Sequence, residues 1–329
     1  MIQSNQMISV IIPVYNGEKT IQKAIQSVIN QSYGNIELVI VNDGSTDNTE
    51  NICNNIMSDA KIQYKYVRIN NSGLANARNV GWNMATGDYC CNLDADDYLE
   101  SSIFKEIFES CSEFDVCYYG YRDVKSDGSV LFSYEQRFVY ERMLSGIEAA
   151  KKKLLRKIWI CQGSALYKRS LFFDCEIKNI PGINQGEDLL FITSALANSK
   201  KIECIDKIGV NILVSNSSMM HAKYNETFVQ SILAAEELYK RLEKLSPDTD
   251  ILAISRGEIL NQISRVSKVL IKSSGFSFSE IMKRIKLLKK GHFRNVKALK
   301  KFYNRKKYIE LNLLKKFTLL YFLLVKLFY

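Results

Sequence analysis

Apolar runs alternate with segments of helical spacing through the first half of the chain. Ile8–Val14 is β-branched and predicts a strand, with Pro13 inside it. In Glu18–Asn30 the residues Ile21, Ala24, Ile25 and Val28 recur on one helical face. Ile36–Val41 predicts a second strand, ending at Asn42-Asp43-Gly44-Ser45, after which Thr46 or Asp47 can cap a helix reaching about Met57. Ile62–Val67 predicts a third strand, and Asn71-Ser72-Gly73 leads into a helix to about Ala85. Gly87-Asp88 then turns the chain into a buried strand over Tyr89–Leu93. Strands alternating with helices predict an α/β fold, a mostly parallel Rossmann-like sheet flanked by helices.

The pattern changes farther along. Leu99–Cys111 reads as helix and Asp115–Tyr121 as strand, followed by a hairpin turn at Ser126-Asp127-Gly128. Gly146–Lys157 and Asp188–Ala197 are helical, whereas Ala165–Lys168, Ile202–Ile205 and Val210–Val214 are short strands. From Glu226 onward the spacing is helical almost throughout, broken near Ser246-Pro247-Asp248. The expected organisation is a domain over residues 1–220 followed by a helical region over 221–329.

Composition adds two facts. The chain has 329 residues, is 47% hydrophobic and holds only 3 Pro, so it can bury a core and lacks Pro-rich linkers. Its N-terminal apolar run is a strand, not a signal peptide. The 8 Cys form no C-x-x-C pair and several lie in strand-like runs. Buried free thiols in a reducing cytosol are therefore expected, with no disulfide framework or zinc site. The net charge of +10 is unevenly placed: residues 281–329 hold 15 Lys/Arg and one acid, Glu310, while the rest holds 30 basic and 34 acidic residues. The cationic character belongs to the tail.

The most specific chemistry sits where the Tyr89–Leu93 strand stops at Asp94-Ala95-Asp96-Asp97. Crowded acids repel one another unless a cation neutralises them, and a hard divalent ion with oxygen ligands commonly arrives with phosphates. In open α/β sheets the ligand crevice lies at the carboxyl ends of the strands. An Asp-x-Asp is also common in exposed turns, so the motif's context decides. The neighbouring strand ends carry Pro13-Val14-Tyr15-Asn16 and Asp43. Tyr15 offers a flat face for a base. Asp43 can accept from an imide N–H, or simply form the turn before Gly44. Arg78 is a candidate for uracil or phosphate contact, or a solvated helix charge.

In this order and spacing, the chain resembles family 2 glycosyltransferases with the GT-A fold, such as bacterial capsule and O-antigen enzymes. The matching stretches are Val10–Asn16, Val41–Asp47, Asn71-Ser72-Gly73 with Ala77–Gly81, Gly87-Asp88-Tyr89 through Asp97, and Gly186-Glu187-Asp188. They cover roughly residues 7–190; nothing after about 220 matches. The resemblance implies a UDP-sugar donor, inversion at the anomeric carbon, and Mn²⁺ or Mg²⁺. It places Pro13, Val14, Tyr15, Asn16, Asp43, Arg78, Asp94 and Ala95 around the nucleotide. Asp96, Asp94 and a late histidine, His221, would bind the metal. Asp188 would be the catalytic base, with Glu187 orienting it or the acceptor. Acids at a helix start are also favoured by the helix dipole alone. Trp159 is either a sugar platform or a core residue.

Phe317–Val325 is a nine-residue stretch without charge, far short of the roughly 20 needed to span a bilayer. Flanked by Lys315, Lys316 and Lys326, it reads as a basic amphipathic helix at a membrane interface, or as a packing or oligomer element. The nearby basic run carries no nucleic-acid-reading motif. The sequence thus supports a sugar transferase acting on a glycan or lipid-linked glycan acceptor, peripheral at the inner face of the cytoplasmic membrane. A nucleotidyltransferase with a similar sheet, and a non-catalytic binding protein, are the competing classes.

Overall fold

The computed structural model describes residues 5–58, 60–214, 224–273, 275–293 and 296–328. The chain divides into two compact units, residues 1–216 and 217–329.

The first unit opens with β1 (Ile8–Val14), α1 (Ile21–Ile29), β2 (Ile36–Asn42), α2 (Thr49–Ser58), β3 (Gln63–Arg68), α3 (Leu74–Met84) and β4 (Tyr89–Asn92). Every residue of β1, β2 and β4 is buried, as parallel strands covered on both faces require. Ile21, Ala24, Ile25 and Val28 of α1 are buried together, as their spacing predicts. The short β5 (Tyr98–Leu99) and α4 (Ile103–Ser110) lead to the hairpin of β6 (Val116–Val124) and β7 (Val130–Ser133). Then come α5 (Gly146–Leu154), a 3₁₀ turn over Gln162–Ser164, β8 (Ala165–Lys168), α6 (Ser170–Asp174), α7 (Glu187–Asn198) and β9 (Ile202–Leu213).

These strands form one mixed sheet in the order β3-β2-β1-β4-β8-β6-β9-β5, with β7 on β6. The expected parallel sheet is its first half: β1 runs parallel to both β2 and β4, so their carboxyl ends lie side by side. The second half departs from the sequence expectation. β8 is antiparallel to both β4 and β6, and β6 then pairs parallel with β9. The two short strands expected over 202–214 are one twelve-residue strand, whose register slips around Gly120 of β6. That irregularity absorbs the polar segment Asp206-Lys207, which reads as a break in the sequence.

The second unit contains α8 (Gln230–Leu245), α9 (Thr249–Lys272), α10 (Phe278–Lys289), α11 (Arg305–Lys316) and α12 (Thr318–Phe328). The break between α8 and α9 is where Ser246-Pro247-Asp248 puts it, and Asp248 caps α9 by accepting from the N–H groups of Asp250 and Ile251. On α12, Tyr321 and Val325 are buried, and the Tyr321 hydroxyl lies 3.0 Å from Ser264 Oγ of α9. Leu319, Leu320, Leu323 and Leu327 are exposed, as is Phe317 just before the helix. The tail helix therefore packs along one stripe and leaves an apolar face open. Leu324, expected on that face, is only half exposed. No helix among the described residues is long and apolar enough to cross a membrane. All eight cysteines are free thiols.

Candidate active site

The loops after β1 and β2 are stitched together by their own polar residues. Asn16, at φ 50°, donates its N–H to Ser45 Oγ at 2.9 Å, while its Oδ1 accepts from the Thr46 N–H at 2.8 Å. The Gly17 N–H donates to Thr49 Oγ1 at 2.9 Å, and the Asp43 N–H to the Val14 carbonyl at 2.8 Å. A Cβ on Gly17 would stand 2.6 Å from Val14 Cγ2 and 3.8 Å from Ala95 Cβ, so this glycine lets the loop close down beside the acidic turn. The result is a fixed ledge from which the Tyr15 ring projects, 52% exposed.

The other nucleotide-binding candidates divide by burial. Asn16 is exposed, and Asp94 and Ala95 are half exposed. Pro13 and Val14 are buried, and their side chains support the ledge from the core. Asp43 is only 4% exposed. Its carboxylate accepts from the N–H groups of Ser72 at 2.8 Å and Gly73 at 2.9 Å, tying the start of α3 to β2.

Arg78 is not a solvated helix charge: it is 1% exposed. Its Nη2 donates to Asp94 Oδ1 at 2.7 Å; its Nη1 lies 3.2 Å from Asp188 Oδ1 and 3.3 Å from Glu187 Oε1. Burial alone would lower its pKa, but the charges of Asp94, Asp188 and Glu187 outweigh burial and raise it. Arg78 is thus the internal cation that brings the acidic turn and the start of α7 to one place.

Gly186 adopts φ 87° immediately before α7, a conformation costly for any residue with a Cβ. It aims the first turn of α7, with Glu187 buried and Asp188 half exposed, toward Arg78. Asp188 Oδ1 also accepts from Gln162 Nε2 at 2.8 Å. Asp188 Oδ2 has no partner among the described residues, so one oxygen is anchored and the other is open. Burial, then the charge of Asp188, push the Glu187 carboxyl up to about 8 against the partial compensation of Arg78.

The three acids after β4 have different tasks. Asp97 is 7% exposed and accepts from the Leu213 N–H at 3.0 Å, fixing the end of β9. Burial, then Asp94 and Asp96, raise it well above the ordinary carboxylate range. Asp96 reaches solvent, yet the protein around it, then the charge of Asp94, raise its pKa as well. Its carboxyl is accessible but poorly solvated. No group of three His, Cys, Asp or Glu is arranged as a metal cage among the described residues. A cation held by one or two carboxylates and completed by phosphate and water needs no such cage, and the solvent-facing Asp96 beside Asp94 fits that mode. His221 lies outside the described residues.

Two features were not legible as site residues. Gln162 is 2% exposed and donates to the same Asp188 oxygen as Arg78; its only signal is a polar Gln162-Gly163-Ser164 inside an otherwise apolar stretch. Asn92, within the apolar run of β4, supports Gln162. Trp159 is half buried and stacks on Phe138, with centroids 6.3 Å apart.

A model of glycosyl transferase family 2 matches residues 9–174. The glycosyltransferase GlyG of Streptococcus pneumoniae serotype 4 is 30% identical over 186 residues, covering 53% of this chain and 61% of that protein. EpsJ of Bacillus subtilis, an uncharacterized glycosyltransferase, is 29% identical over 221 residues, 65% of this chain and 62% of its own. The chain thus spans about three fifths of the length of each of these two relatives. S. aureus TarS 1–349, solved in complex with UDP-GlcNAc, aligns with a TM-score of 0.65 at 19% identity, covering 93% of this chain and 90% of that one; this is a likeness of fold. The chain belongs to glycosyl transferase family 2 and has the GT-A fold.

Proposed function

We propose that this chain transfers a sugar from a UDP-sugar to a hydroxyl of a glycan acceptor, with inversion at the anomeric carbon. The observation that carries this reading is the arrangement around Arg78. One buried guanidinium holds Asp94 of the acidic turn and Asp188 of α7 together, leaving Asp188 Oδ2 open. This supports a reading in which Asp94 belongs to the leaving-group site and Asp188 is the base beside it.

In this reading Tyr15 stacks against the base, and Asp43, whose Oδ2 accepts, among the described residues, only from the Gly73 N–H and so keeps one lone pair, accepts from its imide N–H. Asp96 and Asp94 would hold Mn²⁺ or Mg²⁺ against the diphosphate. The bound cation would supply charge stabilisation for the departing UDP. Asp188 Oδ2 takes the proton of the acceptor hydroxyl as its oxygen bonds to the anomeric carbon. The bond from that carbon to the β-phosphate oxygen breaks, and its electron pair leaves with UDP. Glu187, largely protonated near neutrality by its raised pKa, is suited to donate a hydrogen bond to the acceptor or to Asp188.

The acceptor is a lipid-linked intermediate of a surface polysaccharide, met at the inner face of the cytoplasmic membrane. The support is the open leucine face of α12, bordered by Lys316 and Lys326, in a region of net positive charge. Such a face suits an anionic lipid surface.

The test is UDP release from a panel of UDP-sugars, with and without EDTA and with Mn²⁺ or Mg²⁺ restored. Metal-dependent release from one donor supports the reading, and Asp96→Ala should abolish it. Full activity in EDTA removes the metal role. Release of pyrophosphate from a nucleoside triphosphate in place of UDP from a sugar donor would make the chain a nucleotidyltransferase.

A further inference from the structure

Asp188 Oδ1, which Arg78 contacts, is also held by a chain of buried side chains that ends at an indole. Trp82 Nε1 donates to Asn92 Oδ1 at 3.0 Å, Asn92 Nδ2 to Gln162 Oε1 at 2.8 Å, and Gln162 Nε2 to Asp188 Oδ1 at 2.8 Å. Trp82, Asn92 and Gln162 are exposed by 1%, 0% and 2%.

The polarity of this chain is determined at its far end. An indole N–H only donates, so Asn92 must turn its oxygen toward Trp82. Its NH₂ then faces Gln162, which must answer with oxygen, leaving only the Gln162 NH₂ for Asp188. Reversing Gln162 alone would set two NH₂ groups together and an amide oxygen against a carboxylate. Reversing both amides would set the Asn92 NH₂ against the indole N–H. Among side chains this deeply buried, each mismatch leaves a polar group unpaired and is disfavoured. Trp82 is itself wedged by aromatic packing, 5.0 Å from Phe172 in a stacked arrangement and 5.5 Å from Phe191.

We infer that Gln162, with its donor end set by Trp82 through Asn92, is a positioning residue that fixes Asp188 Oδ1 and leaves Oδ2 as the proton acceptor. The inference rests on Asp188 being the base. The charged and titratable groups facing Asp188 are Arg78 from α3, Asp94 from the acidic turn, Glu187 from α7 itself, Cys161 before the 3₁₀ turn and Tyr167 from β8. Among the described residues, only Arg78 and Gln162 donate to its carboxylate. Arg78 sits at 3.2 Å and is shared among three acids, whereas Gln162 sits at 2.8 Å.

The test compares wild type, Gln162→Asn, Gln162→Met and Asn92→Leu, using the UDP-sugar the wild type hydrolyses fastest. Gln162→Asn retains the amide but withdraws it by one methylene; Gln162→Met retains length but cannot donate; Asn92→Leu releases the orientation of Gln162. Expected is a fall in kcat of about tenfold or more, the effect of losing a hydrogen bond to a charged group. The acid limb of the kcat–pH profile should move up by about one pH unit. UDP affinity should stay at the wild-type value, and the double variant Gln162→Met with Asn92→Leu should be no slower than Gln162→Met alone. Wild-type kcat and pH profile in Gln162→Met or Gln162→Asn would overturn the inference. So would a parallel loss of UDP affinity, which marks a packing role, or multiplied losses in the double variant. Asp188→Asn in the same series separates the two ideas: if it is fully active, the base assignment fails; if it alone is inactive, only the relay fails.

Discussion

The two units handle positive charge in opposite ways. In the first, a single arginine is buried and surrounded by three carboxylates. In the second, lysines and arginines form ion pairs that stay at least partly open to solvent, from Lys268 with Glu310, exposed by 23% and 18%, to Lys301 with Asp250, exposed by 69% and 42%. Surface pairs contribute about 0–1 kcal/mol each. Removing one member of a buried pair costs about 3–5 kcal/mol, because the remaining charges lose their compensation without regaining water. The difference teaches where charge determines structure. Arg78 dictates where the acidic turn and α7 meet, whereas the tail's cations are left to act on whatever lies outside.

The largest effect should therefore come from Arg78→Met, which keeps volume and removes charge. Urea denaturation should report a loss of about 3–5 kcal/mol, with UDP release lost as well. Unchanged stability would mean that the acids are not organised by charge. The cluster was only half legible. Ala77-Arg78-Asn79 was visible as a motif, and so were Asp94 and Asp188. Helical spacing does put Arg78 on one face with Ala75, Ala77, Gly81 and Trp82, all buried; residue type concealed it, because a charged side chain is almost never fully buried unless it is paired, and its partners lie far off in the sequence.

A second comparison lies within the first unit, between its parallel and mixed halves. β1 was legible to the residue, because a central strand buried on both faces is a continuous apolar run. The strand ends were legible because glycines and short polar residues mark them. The insertion of β8 between β4 and β6 was not, since pairing partners in a mixed sheet leave no periodic trace. Gln162 was missed for the same reason: it belongs to the 3₁₀ turn that precedes β8.

Asp43→Ala tests the parallel half. One charge-assisted hydrogen bond contributes about 1.5–3 kcal/mol, so calorimetry should find UDP binding weakened by that amount. Because Asp43 also holds the Ser72 and Gly73 N–H groups, Ser72→Ala serves as the contrast: it removes the hydroxyl's 3.2 Å contact to Asp43 and its 2.8 Å bond from Asn76 Nδ2, keeps both N–H bonds to Asp43, and should leave UDP affinity near wild type. Equal losses in both variants would make Asp43 a loop anchor without a role at the base.

Glu187 sharpens the contrast between buried and exposed charge through pH. Its folded value of about 8 lies above the ordinary glutamate value of 4.5. Between those values the unfolded chain releases a proton that the folded chain keeps, so this group's contribution to stability falls as pH rises through that window. Glu187→Gln should remove that part of the decline, which melting curves across the window would detect. An identical pH dependence in wild type and variant would show that Glu187 is ionised in the folded protein throughout.

The smallest effects belong to the tail. Each Lys or Arg near an anionic bilayer contributes about 1 kcal/mol, so Lys326→Ala alone should change vesicle flotation slightly. Leu323→Asp, on the open face of α12, should change it more. Salt should weaken binding to anionic vesicles without abolishing it, because screening acts on the cations and not on the leucines. Failure of the intact chain to float with anionic vesicles at low salt would leave the open face to another occupant.

The central claim, that Asp188 is the base of a sugar transfer from a UDP donor, is tested most directly by Asp188→Asn. UDP release and UDP affinity should be measured on the same preparation. A positioned base contributes about 10²–10⁴ in rate, so release should fall by that factor while UDP binds as in the wild type. Wild-type release from Asp188→Asn would contradict the account.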